Sequence, residues 1–461
     1  MTFALSVTTK SGICEPQKRD VSWRSSNLGR LKSAVGPKWC PIGHIIIAFR
    51  HSPNVTILMP PKHTAKLIYV STREALLKRR LRRHLSNLGF RRNATGGLEV
   101  PETTKDVVRQ LHAAQRKEIL RAQSKFIANK LPKLQSYFAS GEDVRVDAVQ
   151  PRIERVFGDT WQSDLFRLAS LTWSVPVSSG FGRRLRFLVW DDSNGKLIGI
   201  FAIGDPVFNL SVRDKHIGWT GADRADRLVN VMDAYVLGAI PPYNMLLGGK
   251  LVACLVRSRE VYEEFALEYS DSKGIISQQH KKPRLLAVTT SSSMGRSSLY
   301  NRLKLEGVQY FESLGYSGGW GHFHVPDGLF VEFRDYLRDI GHPYADTHEY
   351  GDGPNWRIRT IRAAMSSLGF KGDVLKHGIQ REVFISLFAD NAITMLRTGK
   401  GKPRLATLRS VPEIGALAVE RWMIRRAETR PEHLEWSVDM LPQLIRASYS
   451  RRRTGAAYNA A

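Results

Sequence analysis

Cysteine is scarce in this sequence. Three residues of 461, Cys14, Cys40 and Cys254, stand too far apart to pair as short-spaced ligands. That excludes a disulfide framework and a four-ligand zinc site, and it suits a reducing, cytoplasmic setting. Long apolar runs are missing too. No stretch approaches the roughly eighteen apolar residues that a membrane span needs, and the opening residues lack the basic-then-apolar order of a secretion signal. The P-loop pattern GxxxxGK[ST] and the dinucleotide fingerprint GxGxxG are absent, as are HExxH and the full HxE…PCxxC signature of zinc deaminases. Acidic residues are the last shortage: 43 Asp plus Glu face 69 Lys plus Arg, a net charge of +26.

What is present follows from that imbalance. A positive excess of this size draws polyanions into clefts and costs stability through self-repulsion. Nucleic acid is the partner it points to first, DNA before RNA, although a generally arginine-rich composition yields the same number without a site. The length exceeds one ordinary core, so roughly two to four domains are expected. Residues 1–60 mix Ser, Gly and Pro around one apolar run, Ile45–Phe49, and read as an accessory segment. Residues 61–150 read as a basic helical region, 151–345 as a central α/β domain, 346–435 as a C-terminal helical domain and 436–461 as a basic tail.

The clearest helix begins after Thr72. Leu77, Leu81, Leu85 and Leu88 fall on one face and Gly89 stops it. The other face carries Lys78, Arg79, Arg82 and Arg83. Arg79, Arg82 and Arg83 are candidate phosphate contacts, and a plain solvated face accounts for them equally well. A second helix is expected over Thr103–Phe138, divided at Pro132. In the centre, two apolar runs flank Asn194-Gly195, a strong hairpin signal. Further strands are expected at Ile217–Trp219, Ala234–Ile240 and Leu285–Thr290, with a helix over DRADRLVNVMD. The fold class is therefore α+β, a mixed or antiparallel sheet flanked by helices. After residue 355, NWRIRTIRAAMSSLGF, HGIQREVFISLFADNAITML and EIGALAVERWMIRRAETRP all read as helices.

Several side chains in the centre could carry function. Gly248, Gly249 and Lys250 open an expected helix whose N–H groups could cradle a phosphate, or the glycines permit close packing. Arg213, Arg296, Asn301 and Arg302 are candidate contacts to phosphate or base. His322 and His324 alternate along an expected strand and would share a face, where metal binding requires ligands from elsewhere. Asp205 and Asp214 are the carboxylates that could hold Mg²⁺ or Mn²⁺ for phosphodiester cleavage, with His322 or His324 moving a proton.

Four segments and one pair carry a more specific signal. YNMLLGGKLVACLVRSREVYEEFALEY, LLAVTTSSSMGRSSLYNRLK, LGYSGGWGHFHV, LKHGIQREVF and Arg213-Asp214 before Ile217-Gly218-Trp219 resemble the Druantia anti-phage defence protein A family, over roughly residues 180–400. The resemblance implies a part in bacterial defence beside other system proteins, a large helicase among them. The centre is also similar to GNAT-type acetyltransferases: a hairpin leads to a strand, Pro242 and Gly249 precede a helix, and FESLGY follows. MLLGGK stands where the acyl-CoA loop would carry a basic residue, two variable positions and GxG or GxA. The readings to be tested are thus a nucleic-acid-binding defence component, a divalent-metal nuclease, a partner-recruiting scaffold that self-associates, and an acyltransferase with Tyr310 as proton donor.

Overall fold

A computed structural model of the chain describes residues 72–94, 98–99, 104–178, 180, 182–273, 280–322, 324–346, 356–370 and 375–447. The segment read at 1–60 and the end of the basic tail lie outside them. The described residues belong to one compact unit, Tyr69–Ala461. At its centre is a seven-stranded sheet: β1 (Pro151–Arg155), β2 (Arg184–Asp191), β3 (Lys196–Gly204), β4 (Val231–Ala239), β5 (Ala287–Ser291), β6 (Glu312–Tyr316) and β7 (Glu382–Leu387). The spatial order is β6-β7-β5-β4-β3-β2-β1. Neighbours are antiparallel except β4 and β5, which run parallel for the three pairs from Val231–Ala287 to Asp233–Thr289.

The sheet forms where apolar, β-branched and aromatic residues run together. β2 and β3 are joined at Asn194-Gly195, where Gly195 takes φ +68°, a value that tight hairpin turns favour and side chains resist. Both strands are covered on both faces. Phe187, Val189, Phe201 and Ile203 pack with α7 (Gly248–Leu255), α8 (Arg259–Tyr269) and α12 (Val411–Ala418). Leu188, Trp190, Ile200 and Ala202 pack on the other side with α3 (Ser124–Leu134), α4 (Trp161–Ser170) and α14 (Leu441–Arg446). Leu441 and Ile445 of α14 are buried there, so the first part of the stretch read as a basic tail is folded. A third cluster joins α1 (Arg73–Asn87), α2 (Lys105–Ala122), α9 (Asp327–Asp339) and α10 (Trp356–Ser367) around Leu77, Leu81, Leu85, Phe333 and Ile361. Thr72 caps α1 by accepting the Ala75 N–H, as its sequence suggests. Smaller helices complete the chain: α5 (Ser211–Ile217), α6 (Gly221–Arg227), α11 (Ala392–Thr398) and α13 (Arg425–Thr429), the last preceded by a π-turn at Val419–Ile424.

The mixed α/β class with helices on a central sheet is as expected, and several local readings need correction. The long second helix divides at Gln123, not at Pro132; Pro132 falls near the end of α3, where a single 3₁₀ turn takes over. Ile217–Trp219 is the end of α5 and its Gly218 left-handed cap, not a strand. HGIQREVFISLFADNAITML is not one helix. Val383, Phe384 and Ile385 are buried and belong to β7, which lies between β5 and β6, and α11 begins only at Ala392. His322 and His324 stand in a turn before α9, not on a strand.

One irregularity positions the site. In the β3–β4 ladder Val236 faces Ala202 while Ala234 faces Ile203, leaving Tyr235 as an extra residue on β4. A bulge of this kind re-aims a side chain. Tyr235 and Val236, adjacent in sequence, both belong to the face covered by α3 and α4.

Candidate nucleic-acid interface

On that face α2, α4, the end of β1, β2 and β4 enclose a cleft of about 660 Å³. Five arginines line it: Arg116, Arg155, Arg167, Arg184 and Arg186. No Asp or Glu does. Each position follows from its element. Arg184 and Arg186 stand two apart on β2, so the pleat sends both to one face while Leu185 and Phe187 enter the opposite core. Arg167 lies on α4, whose Leu165, Leu168 and Ala169 anchor it to the sheet. Arg116 lies on α2, and Arg155 is the last residue of β1.

The five differ in how far they are committed. Arg116 donates to five main-chain carbonyls, those of Trp173 (3.0 Å), Ala447 (2.8 Å), Leu171 (3.2 Å), Leu444 (3.4 Å) and Ile445 (3.0 Å). It clamps three chain segments, and burial holds its pKa below the usual arginine value. Arg155 pairs with Glu268 at 2.7 Å and Glu264 at 3.2 Å. Arg167 donates to the Gln123 side chain and lies 4.1 Å from the Phe126 ring centre. Arg186 bonds the Ser163 hydroxyl at 3.4 Å and sits 5.9 Å from the Phe166 ring. Neither Arg167 nor Arg186 meets a carboxylate among the described residues. The cleft therefore keeps positive charge that no carboxylate among the described residues neutralises.

Aromatic rings alternate with these cations. Phe157 stands at the end of β1, 58% exposed, with the Arg155 guanidinium 4.8 Å from its ring centre. Trp173 rests on Gly238, where an added Cβ would come within 2.8 Å of the indole. Tyr235 is seated in the same way against Gly204. Burial raises the Tyr235 pKa, and Arg186 and Arg184 oppose the shift. Such a lining can neutralise phosphates with guanidinium groups while offering flat faces to bases.

The residues singled out from the sequence lie elsewhere. Arg213 is fully buried. Its guanidinium donates to Asp214 at 2.9 and 2.7 Å and to the carbonyls of Val207 (2.9 Å) and Phe208 (2.8 Å), so it is an internal clamp with no surface for a phosphate. Asp214 also holds Arg224 at 2.8 Å, and Asp205 holds Arg183 at 2.8 Å. Both carboxylates are thus occupied by arginines. No three or more His, Cys, Asp or Glu gather as a metal-holding group among the described residues, so Asp205, Asp214, His322 and His324 belong to no such group. His322 is pushed down to about 4 by burial and by Arg357, and His324 packs 5.4 Å from Phe90 and 5.9 Å from His377. Gly248 and Gly249 serve close packing: a Cβ would stand 2.6 Å from the Tyr243 carbonyl oxygen and 3.0 Å from Leu299 respectively. Lys250 lies 5.3 Å from the Trp422 ring, its pKa lowered by burial and by Arg421 and Arg302. Arg296 and Arg302 are exposed, while Asn301 donates to the Ser297 carbonyl. Arg79, Arg82 and Arg83 are exposed on α1, with Arg82 over Phe370 at 5.5 Å. Tyr310 is enclosed, and burial pushes its hydroxyl up to about 12. Gly315-Tyr316-Ser317-Gly318-Gly319 fits GxSxG, a match that a reading of the sequence for hydrolase motifs passes over, but among the described residues no helix follows it before Asp327, so it is not a nucleophile elbow.

Fold and cleft together define a mixed α/β protein whose sheet carries an arginine- and aromatic-lined recess on one face. The chain belongs to the DruA family. Residues 102–398 match the family profile described as Druantia protein DruA. The chain is also 60% identical over 375 residues to the Druantia protein DruA of Escherichia coli (strain UMEA 4076-1), a match covering 81% of this chain and 93% of that relative. No solved structure matches.

Proposed function

We propose that this chain is a nucleic-acid-binding component of a bacterial anti-phage defence system, and that it binds through the cleft beside Tyr235. The observation that carries the reading is the lining itself: among the described residues it has five arginines, no acid, and aromatic rings between them. Membership of the DruA family supports the defence context. Arg79, Arg82 and Arg83 on α1, with Arg296 and Arg302, are further basic positions at which a bound polymer would meet phosphates, positioning it without reading sequence. DNA is the expected ligand, and a helicase or another protein of the system is the expected partner. In cells the protein would act in the cytoplasm. The test is direct binding of the full chain to labelled DNA at low salt, by fluorescence anisotropy. Binding that weakens steeply as salt rises is expected; no binding at low salt would end the proposal.

The topology favours one second reading. A hairpin, β2–β3, leads to β4, then Pro241-Pro242 and α7, in a sheet whose single parallel pair is β4–β5. This supports a GNAT-like outline. MLLGGK lacks the acyl-CoA loop pattern, so the outline is read as a scaffold reused for binding, not as an acyltransferase.

A further inference from the structure

We infer that the cleft takes unpaired nucleotides of a single strand and not a duplex, an inference that rests on the nucleic-acid reading above. Three observations carry it. The first is size and shape. A recess of about 660 Å³ falls within the range of roughly 300–1,000 Å³ of small-molecule pockets, and it holds a nucleotide or two. A duplex is read the other way round, by a helix or ribbon that projects from the protein into a groove. Here Arg167, Arg184 and Arg186 line a hollow, where a paired helix cannot follow them.

The second observation is the rings. Phe157 at the end of β1 is 58% exposed, although it is large and apolar and adjoins a well-formed core. A phenylalanine left this open beside a guanidinium offers the aromatic platform on which bases of any sequence stack. Trp173 lies deeper, on Gly238. Bases in a duplex are already stacked on one another and cannot use either ring; unpaired bases can.

The third is Tyr235. The β4 bulge turns it towards Arg184 and Arg186 rather than into the opposite core. Its hydroxyl has no hydrogen-bonding partner among the described residues, so a donor and acceptor remain for a base edge or a sugar. A strand bulged by one residue at the floor of a cationic cleft is better suited to fixing one nucleotide than to sensing a groove.

The test uses the full chain and three probes under one low-salt condition: a labelled oligo-dT strand, a labelled mixed-sequence single strand, and the blunt duplex of the latter. Fluorescence anisotropy is read for the native protein and for Phe157→Ala, Phe157→Trp and Tyr235→Phe. Both single strands are expected to bind at least tenfold tighter than the duplex. Phe157→Ala should weaken single-strand binding by roughly 5- to 150-fold, the loss of one stacked base, and leave duplex binding unchanged. Phe157→Trp should restore most of it, which a merely structural role would not do. Tyr235→Phe should weaken single strands alone. Duplex binding as tight as single-strand binding would overturn the inference while leaving the nucleic-acid reading in place, and so would single-strand binding indifferent to Phe157→Ala. Failure to bind any probe would overturn both. Because Phe157 is mostly exposed, its variants should fold, and an unchanged circular dichroism melt would confirm this.

Discussion

Replacing Arg167 and Arg186 together by Gln gives the sharpest check on the cleft. These two guanidinium groups face the recess with no carboxylate partner among the described residues, one held by Gln123 and Phe126, the other by Ser163 and Phe166. Arg116 is spent on five carbonyls and Arg155 on two glutamates, so removing either would disturb structure before binding. Each phosphate neutralised on a single strand contributes about 0.7 to the slope of log K against log salt. The double variant should therefore flatten that slope by about 1.4. Between 50 and 200 mM salt, a fourfold change, that amounts to roughly sevenfold in affinity that the native protein loses and the variant does not. The assay is a set of anisotropy titrations of one labelled single strand at four or so salt concentrations in that interval. Glutamine keeps a polar side chain at both sites, and the melting temperature should stay within a few degrees. A slope unchanged within about 0.3 in a variant that folds normally would show that phosphates do not reach these arginines, and the cleft would lose its role.

Two further outcomes test the interior. Arg213→Met removes one partner of a buried pair and leaves the Val207 and Phe208 carbonyls without donors, so urea unfolding should show a loss on the order of 3–5 kcal/mol; Arg213→Lys should not restore it, since an ammonium cannot reproduce the guanidinium fork. A loss below about 1 kcal/mol would contradict the clamp. Burial raises the Asp233 carboxyl to about 6, against the Thr289 hydroxyl bond at 2.8 Å and Arg213, which both lower it. A carboxyl whose folded pKa lies above its unfolded value contributes stability that is full below about pH 4 and is lost as pH rises through about 6. Asp233→Asn should remove that dependence, leaving a variant more stable than the native protein above about pH 7 by at most about 3 kcal/mol, as two pKa units imply; the figure is an upper bound because the residue keeps some exposed surface. Parallel urea melts at pH 5 and pH 8 measure it, and an equal pH response in both proteins would refute it.

How much of this was legible in the chain depends on how local the signal was. The α1 stripe of Leu77, Leu81 and Leu85 and the Asn194-Gly195 turn announce themselves, because each depends only on residues a turn away. β7 does not. Val383, Phe384 and Ile385 are buried on a strand enclosed by two neighbours, and a run that is apolar on both faces has no period to read. Arg213 misled for a related reason: an arginine among polar residues looks available, and only the fold shows that Asp214 and two carbonyls have taken its donors. The cleft was the least accessible of all, since it joins residues from Arg116 to Tyr235. One local signal was there to be read. Arg184-Leu185-Arg186-Phe187 alternates cation with apolar residue, which on a strand places both cations on the face opposite Leu185 and Phe187.

The charge excess takes on a different meaning once the arginines are placed. Part of the +26 works inside the protein. Arg116 ties α2 to the main chain at Leu171, Trp173 and Leu444–Ala447. Arg257, 3% exposed, bonds the Leu387 carbonyl and both the carbonyl and hydroxyl of Thr407, joining the end of β7 to the loop before α12. Neither is paired with a carboxylate among the described residues; carbonyls, joined at Arg257 by the Thr407 hydroxyl, hold the charge, and burial lowers both pKa values. An arginine used this way satisfies several carbonyls at chain crossings that no strand or helix ladder covers. Composition therefore overstates the surface available to a polyanion. Arg257 is buried out of reach of a phosphate, and Arg116, at the edge of the cleft, has its donors spent on carbonyls, yet both still raise the potential around them. Long-range attraction and local contact thus have separate origins in this protein. Association should slow with salt through the whole charge, while the salt dependence of the bound state should follow only the few guanidinium groups, Arg167 and Arg186 first among them, that a nucleotide can reach.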